Sequence, residues 1–252
     1  MCNMPIITFF ITFAEINEFK NKRVLEVGSK YINGSIRPFV ERFLHPKEYI
    51  GIDIEKGKFV DKILPAEDIL NHFNKNSFDV VIATEIIEHV RDWRLILNNF
   101  KKVVKEGGYV YITTRSIGFP QHGYPYDFWR FQIDDMKEIF SDFKIKALVK
   151  DKTQPGVFIK AQKPFKYKPR SMDNIKLYSV KKKRRTLFIP DHAIDNNFMN
   201  KELEKEEYFI ESLKLQNKNQ YSLEEMGFKK RIFNYLYKIL KKWEKKIKYH
   251  LE

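Results

Sequence analysis

Between about residue 20 and residue 163, short apolar runs alternate with amphipathic stretches. RVLEVG, YIGIDI, FDVVIATE and YVYITT are near-continuous runs rich in β-branched and aromatic residues, the pattern of strands covered on both faces. IRPFVERFL and DWRLILNNFKKVVKE lie between them with helical periodicity, and the second is expected to stop at Gly107–Gly108. Strand, helix and strand in repetition predict an α/β fold, a mostly parallel sheet with helices on both faces. ALVKDKT and VFIKAQK read as a closing antiparallel pair. The apolar PIITFFITF near the N-terminus is nine residues long and reads as a strand or helix packed on the core. It is too short to span a bilayer and lacks the basic start and cleavage site of a signal peptide.

After KPFKYKPR the alternation breaks, and Pro164, Pro169 and the run KKKRR at 181–185 suggest a linker. The chain therefore divides into a domain over 1–163, a linker or irregular extension over 164–200, and a basic helical extension over 201–252. In the last, Phe228, Ile232, Leu236, Ile239, Leu240, Trp243, Ile247 and Leu251 recur on one helical stripe. Residues 229–248 carry nine Lys or Arg against one acid, Glu244.

Charge follows this division. Of the formal +14, residues 165–252 hold 22 Lys plus Arg against 12 Asp plus Glu, a net of +10. The basic extension admits three roles: docking on anionic lipid, binding nucleic acid, or packing on the main domain or a second copy of the chain. One cysteine, Cys2, rules out a disulfide framework or a cysteine-based zinc site within the chain, and makes a reducing cytoplasm the default compartment. Attachment to a membrane surface stays open through the extension.

In an open parallel sheet, ligands bind beyond the carboxyl ends of the strands, so the residues there carry the candidate chemistry. The first strand holds Glu26 and ends in Gly28–Ser29. A carboxylate inside an apolar strand needs a donor, which a cation or water in the cleft, or a nearby lysine, would supply. The second strand ends in Asp53, placed to accept the hydroxyls of a ribose or to form a turn. In LPAEDI, Glu67 or Asp68 suits the edge of a base, and Asp68 equally suits a helix cap. The next strand ends in Thr84–Glu85, followed by Ile86 and Ile87, which suit a flat ring or the core, and by His89 near a helix start. The loop RSIGFPQHGYPYDFWRFQIDD gathers His122, Tyr124, Tyr126, Asp127, Trp129 and Arg130 within nine residues. His122 suits a general base oriented by Asp127, or Asp127 acts instead. Tyr126, Trp129 and Arg130 suit a flat, sugar-like or anionic acceptor, or alternatively a packed aromatic lid in which Arg130 stabilises Asp127. No cluster of metal ligands is evident.

VLEVGS, GIDIE, AEDI, FDVVIATEIIEHV and KEGGYVYITT, in this order and spacing, resemble a class I S-adenosylmethionine-dependent methyltransferase over residues 20–163. EHV after the fourth strand and the pattern H-x-x-P-x-D-x-W-R-F are similar to the type 11 group of that family. The resemblance implies a seven-stranded, Rossmann-like sheet and S-adenosylmethionine (SAM) as methyl donor. It places Glu26 and Gly28 at the methionine end, Asp53 at the ribose, and Glu67 and Asp68 at the adenine; Ser29, Ile54 and Glu85 complete the cofactor-binding candidates. His122, Asp127 and His89 are then the catalytic candidates.

One departure stands out. The family's glycine loop reads GxGxG, whereas this chain has GSKYINGS, with Lys30 at the second glycine and Gly34 four residues later. SAM carries a sulfonium and an ammonium rather than a pyrophosphate, so a dense array of backbone amides is not needed. A dinucleotide would need it more. No Asn/Asp-Pro-Pro-Tyr follows the fourth strand, and the single cysteine supplies no C5-type nucleophile, so a nucleobase methyltransferase is disfavoured. The expected reaction is methyl transfer, most simply O-methylation, to a small-molecule, glycan or lipid-linked acceptor. The alternative is an RNA-directed methyltransferase or a nucleic-acid-binding protein that uses the basic tail.

Overall fold

The computed structural model describes residues 3–123 and 126–189. The helical extension expected over 201–252 lies outside the described residues. Asn3 caps the first helix, α1 (Met4–Phe13), by accepting the Ile6 N–H, and buries Ile6, Phe9 and Phe10 below it. α2 (Ile16–Phe19) follows. Then come β1 (Arg23–Val27), α3 (Arg37–Phe39) with a π-helical turn over Val40–Leu44, β2 (Glu48–Asp53) and β3 (Lys62–Ile63). After a 3-10 turn over Ala66–Asp68 come α4 (Ile69–His72), β4 (Phe78–Thr84), α5 (Trp93–Val103) and β5 (Val104–Arg115). The remainder is β6 (Trp129–Arg130), α6 (Ile133–Ile139), β7 (Lys144–Lys150), β8 (Gly156–Gln162), β9 (Leu177–Ser179) and β10 (Arg184–Thr186).

Seven strands form one sheet in the order β3-β2-β1-β4-β5-β8-β7, parallel except for β8, which runs against both neighbours. The alternation of side chains along β1 explains the two layers. Leu25 and Val27 face a core with α4, α5 and α6, while Val24 faces a second core with α1 and the π-helical turn. A buried lysine ties the second layer down: Lys160 on β8 pairs with Glu18 at 2.6 Å and donates to the Phe13 carbonyl. The chain leaves β1 toward β2 and β3, then returns to its other side through β4. In open α/β sheets such a reversal marks the place of the ligand crevice, here above the carboxyl ends of β1 and β4.

Two boundaries differ from the sequence expectation. α5 ends at Val103, short of Gly107–Gly108, because Val104 already pairs with Phe78 at the edge of the sheet. The β-branched pair Val103–Val104 suits a strand start better than a helix end. The second correction concerns 164–200. Its described part, 164–189, is not a linker. Met172, Ile175, Leu177 and Ile189 are buried in the main core, and β9 joins β6 and β10 in a second, three-stranded sheet. The Arg94 guanidinium clamps this segment by donating to the carbonyls of Met172, Ile175 and Leu187. Among the described residues no helix is long and apolar enough to cross a membrane.

Candidate active site

At the tip of β1, Gly28 takes φ +75°, and its N–H and that of Ser29 both donate to the Ile52 carbonyl. A Cβ at Gly28 would lie 3.0 Å from Ile86 Cδ1, so glycine is needed both for the turn and for the close approach. Lys30 does not share the positive φ, which explains how a lysine replaces the family's glycine. Its N–H donates to Asp53 Oδ2 at 3.0 Å, Asp53 Oδ1 accepts the Glu55 N–H at 3.1 Å, and the Lys30 ammonium pairs with Glu55. The loop is thus held by the same carboxylate expected at the ribose. Ionised, Asp53 has about four acceptor positions, so two remain for a ligand.

Glu26 is buried, and the donor it takes is the Tyr49 hydroxyl at 2.8 Å rather than a lysine. Burial pushes its pKa up to about 7, against the Tyr49 hydrogen bond and the more distant charge of Arg37. Ser29 Oγ is buried without a hydrogen-bond partner. Glu67 and Asp68 are exposed on the 3-10 turn, whose carbonyls at Ala66 and Glu67 accept from the Asn99 amide. Asp68 stands at the N-cap of α4 but makes no cap bond; it accepts from Asn71 Nδ2 instead. Ile54 is exposed beside Asp53, Ile86 is half-buried, and Ile87 is spent entirely on the core.

The end of β4 is strained. Glu85 adopts φ +56°, a left-handed conformation uncommon for a residue with a Cβ. Its carboxylate is buried and pairs with Arg115, which also lies 3.6 Å from Asp151. Burial and the neighbouring charge of Glu88 raise the Glu85 pKa. Glu88 was not singled out from the sequence. It is fully buried: Oε2 accepts from Thr114 Oγ1 at 2.8 Å, while Oε1 has no hydrogen-bond partner.

Across the crevice, the loop after β5 folds over His89. The His89 and His122 rings meet edge to face at 4.6 Å, and His89 Nδ1 lies 2.7 Å from the Tyr126 carbonyl oxygen. A carbonyl only accepts, so Nδ1 carries a proton, while Nε2 lies 3.9 Å from Glu88 Oε1. Asp127 accepts the His122 N–H at 2.8 Å and sits 3.2 Å from His122 Nδ1. Burial would raise the Asp127 carboxyl, but hydrogen bonds from Arg130 and His122 hold it well below the usual range. Arg130 grips both carboxylate oxygens, at 2.5 and 2.7 Å, and donates to the carbonyls of Trp129 and Pro120.

These contacts revise the acceptor-side reading. Arg130 is buried with its fork saturated, and Trp129 is buried with its indole N–H on the Arg91 carbonyl. Both hold the loop rather than face an acceptor. Asp127, ionised and occupied, orients His122 and is no base. Tyr126 alone of the three acceptor candidates is exposed. Tyr124 and Pro125 lie outside the described residues. The sequence reading also missed a cluster: donor atoms of Glu88, His89 and His122 all lie within 4.8 Å of one another. The signal was a second acid three residues after Glu85 in an otherwise apolar run, next to His89.

Residues 6–151, more than half of the chain, match the family model described as "Methyltransferase domain". A curated relative, the ubiquinone biosynthesis O-methyltransferase of Vibrio atlanticus, is 27% identical over 110 residues. The match spans 40% of this chain and 46% of that protein, so the chain covers about half the length of its relative. Among solved structures, a chain from the complex of the Haloferax volcanii Trm112 methyltransferase activator with a methyltransferase superposes with a TM-score of 0.50 at 14% identity. The superposition covers 63% of this chain and 89% of that one. The [4+2]-cyclase SpnF superposes equally well, with a TM-score of 0.50 at 15% identity over 63% of this chain and 82% of its own. Since a cyclase fits as well, likeness of fold alone identifies no reaction.

Proposed function

Because the chain belongs to the methyltransferase-domain family, we propose that it transfers the methyl group of SAM to a hydroxyl of a small-molecule, glycan or lipid-linked acceptor. The observation that carries the choice of a hydroxyl is the His89–His122 pair beside Glu88, a cluster able to take up a proton or negative charge where the acceptor would lie. The O-methylating curated relative is consistent with it.

The residues at the switch point fit SAM. Glu26 is a buried carboxyl short of a cation, the Ser29 hydroxyl is buried without a partner, Asp53 retains acceptor positions, and Gly28 keeps the wall of the crevice thin under Ile86. When bound, SAM supplies a methyl group activated by its sulfonium. The chain's own work is alignment and exclusion of water. Glu26 offers its charge to the ammonium, Asp53 accepts from the ribose, and the exposed Ile54 covers an apolar face of the nucleoside. On the other side, His89 Nε2 is positioned to take the acceptor's proton, with Asp127 keeping His122 in place.

Two measurements test this reading. Calorimetry should show SAM binding by the intact chain. Incubation with methyl-labelled SAM and a cell extract should label a fraction that carries hydroxyl groups. Label found only in RNA would move the reading to an RNA-directed methyltransferase, and no SAM binding at all would sink it.

A further inference from the structure

We propose that Glu88, His89 and His122 bind a divalent transition-metal cation on the acceptor side of the crevice. The donor set suits such an ion. Two imidazoles and one carboxylate leave coordination positions open and suit Zn²⁺, Co²⁺ or Fe²⁺; Mg²⁺ prefers an all-oxygen shell. The donor atoms lie within 4.8 Å of one another, and Glu88 Oε1 is 3.9 Å from His89 Nε2. Bonds of about 2.1 Å to a tetrahedral cation place ligand atoms about 3.4 Å apart, so the cluster closes by roughly an ångström of side-chain movement. His89 and His122 can make that movement, since their side chains are 25% and 21% exposed.

The surroundings of each donor favour the same ion. Glu88 Oε1 is buried without a hydrogen-bond partner, which is costly for a carboxylate unless a cation meets it. Its other oxygen is fixed by Thr114, so the free one has a set direction. The Tyr126 carbonyl holds the proton of His89 on Nδ1 and leaves Nε2 available. Asp127 Oδ2 lies 3.2 Å from His122 Nδ1, which is buried without a hydrogen-bond partner, close enough to serve as the outer carboxylate of a metal-binding imidazole once the ring turns.

The pairing of the nearby charges points the same way. Among the described residues around this end of β5, Glu85, Glu88, Asp127 and Asp151 are buried acids, and Arg115 and Arg130 are the buried cations facing them. Arg130 is taken by Asp127, and Arg115 is shared between Glu85 and Asp151. Both guanidiniums are thus committed to other carboxyl groups, and neither is left to meet the Glu88 carboxylate, which a divalent cation would.

This inference deepens the hydroxyl reading and rests on it only for its chemical use. There the cation, bound at His89 Nε2, replaces that nitrogen as the means of deprotonation: it acidifies the acceptor's hydroxyl, whose proton leaves to solvent. The oxygen lone pair forms the O–CH₃ bond, the C–S bond breaks, and its electron pair stays on sulfur as a neutral thioether. No oxidant or reductant takes part.

Tag-free protein, stripped with chelator, would be titrated with Co²⁺, Zn²⁺ and Mg²⁺ by calorimetry, with Co²⁺ also followed by its visible bands. SAM affinity would be measured on the same samples. The expected result is one Co²⁺ or Zn²⁺ per chain, with Mg²⁺ much weaker. Affinity should fall about ten-fold or more in His89→Asn, His122→Asn and Glu88→Gln, while SAM affinity holds. The other four histidines are untouched by these changes and serve as internal controls. Should Glu88→Gln fail to fold, the two partly exposed histidine variants decide. Stoichiometric binding that persists in the variants, binding as tight for Mg²⁺, or no binding by wild type that still takes SAM, would each overturn the proposal. Metal binding without SAM binding would instead fault the methyltransferase reading and leave the cation site standing.

Discussion

Asp53 spends one acceptor position of each oxygen on the loop itself, so its removal should loosen the loop and a bound ribose together. Asp53→Ala is expected to weaken SAM binding by about 1–3 kcal/mol, the cost of losing charge-assisted hydrogen bonds, as read by calorimetry. Unchanged affinity would remove Asp53 from the site. Glu26 gives a pH prediction. Its carboxyl is held neutral by burial up to about pH 7, whereas an exposed glutamate ionises near 4.5. Between those values the folded chain holds a proton that the unfolded chain releases, so this group's contribution to stability falls as pH rises from about 4.5 to about 7. Glu26→Gln should flatten that slope in denaturant titrations. A cation seated against Glu26 favours the charged form. SAM binding should therefore tighten from pH 6 to pH 8 with proton release, and the variant should lose that dependence. Asp127 and Arg130 form a buried pair, and Arg130→Ala leaves a carboxylate stranded. Urea unfolding should register a loss of about 3–5 kcal/mol; a loss near zero would mean that the loop has other anchors.

At the scale of elements, the segment 164–189 changes what counts as the domain. β9 pairs with β6, and the Val180 N–H reaches the Phe128 carbonyl, so this segment backs the loop that presents His122. Leu177 on β9 is fully buried. Leu177→Ala should cost about 2–5 kcal/mol by cavity formation, and thermal unfolding is the direct check. A chain ending at residue 163 should lose much more, since it removes Met172, Ile175 and Leu177 from the core at once. For 164–200, read as a linker or irregular extension, the linker alternative fails over the described part, 164–189; prolines and scattered charges dominate that segment and suggested it. Its few apolar residues show no period, and their burial depends on the Arg94 clamp 78 to 93 residues away. The end of α5 was misplaced for a related reason: the glycine pair is a strong stop signal, yet Val104 pairs with β4 before it is reached.

For the whole molecule, the basic excess is redistributed by the fold. Residues 165–189 carry nine Lys or Arg against one acid, Asp173, so most of the C-terminal surplus sits on the folded domain. Five of those charges are the KKKRR run, which fills the turn between β9 and β10 and begins β10, and its last three residues are exposed. Salt-sensitive binding to a polyanion should therefore survive largely intact in a chain ending at 189, as measured by elution from heparin. Early elution of that truncated chain would assign the binding to residues 190–252 and favour a tail-borne lipid or nucleic-acid contact.

Periodicity and strand-end residues carried the parallel sheet, its antiparallel closing pair and the line of Glu26, Gly28, Asp53 and Glu85, because local alternation and strand termini follow from neighbours in sequence. Which carboxylates are spent and which are free was settled only by packing. Arg130 turned inward to Asp127, Trp129 onto a backbone carbonyl, and Lys30 into a clasp with Asp53 and Glu55. Glu88, hidden in an apolar run, came within reach of two imidazoles from separate loops. A sequence lists donors and acceptors; which of them pair is a property of the folded chain, where each bond excludes another.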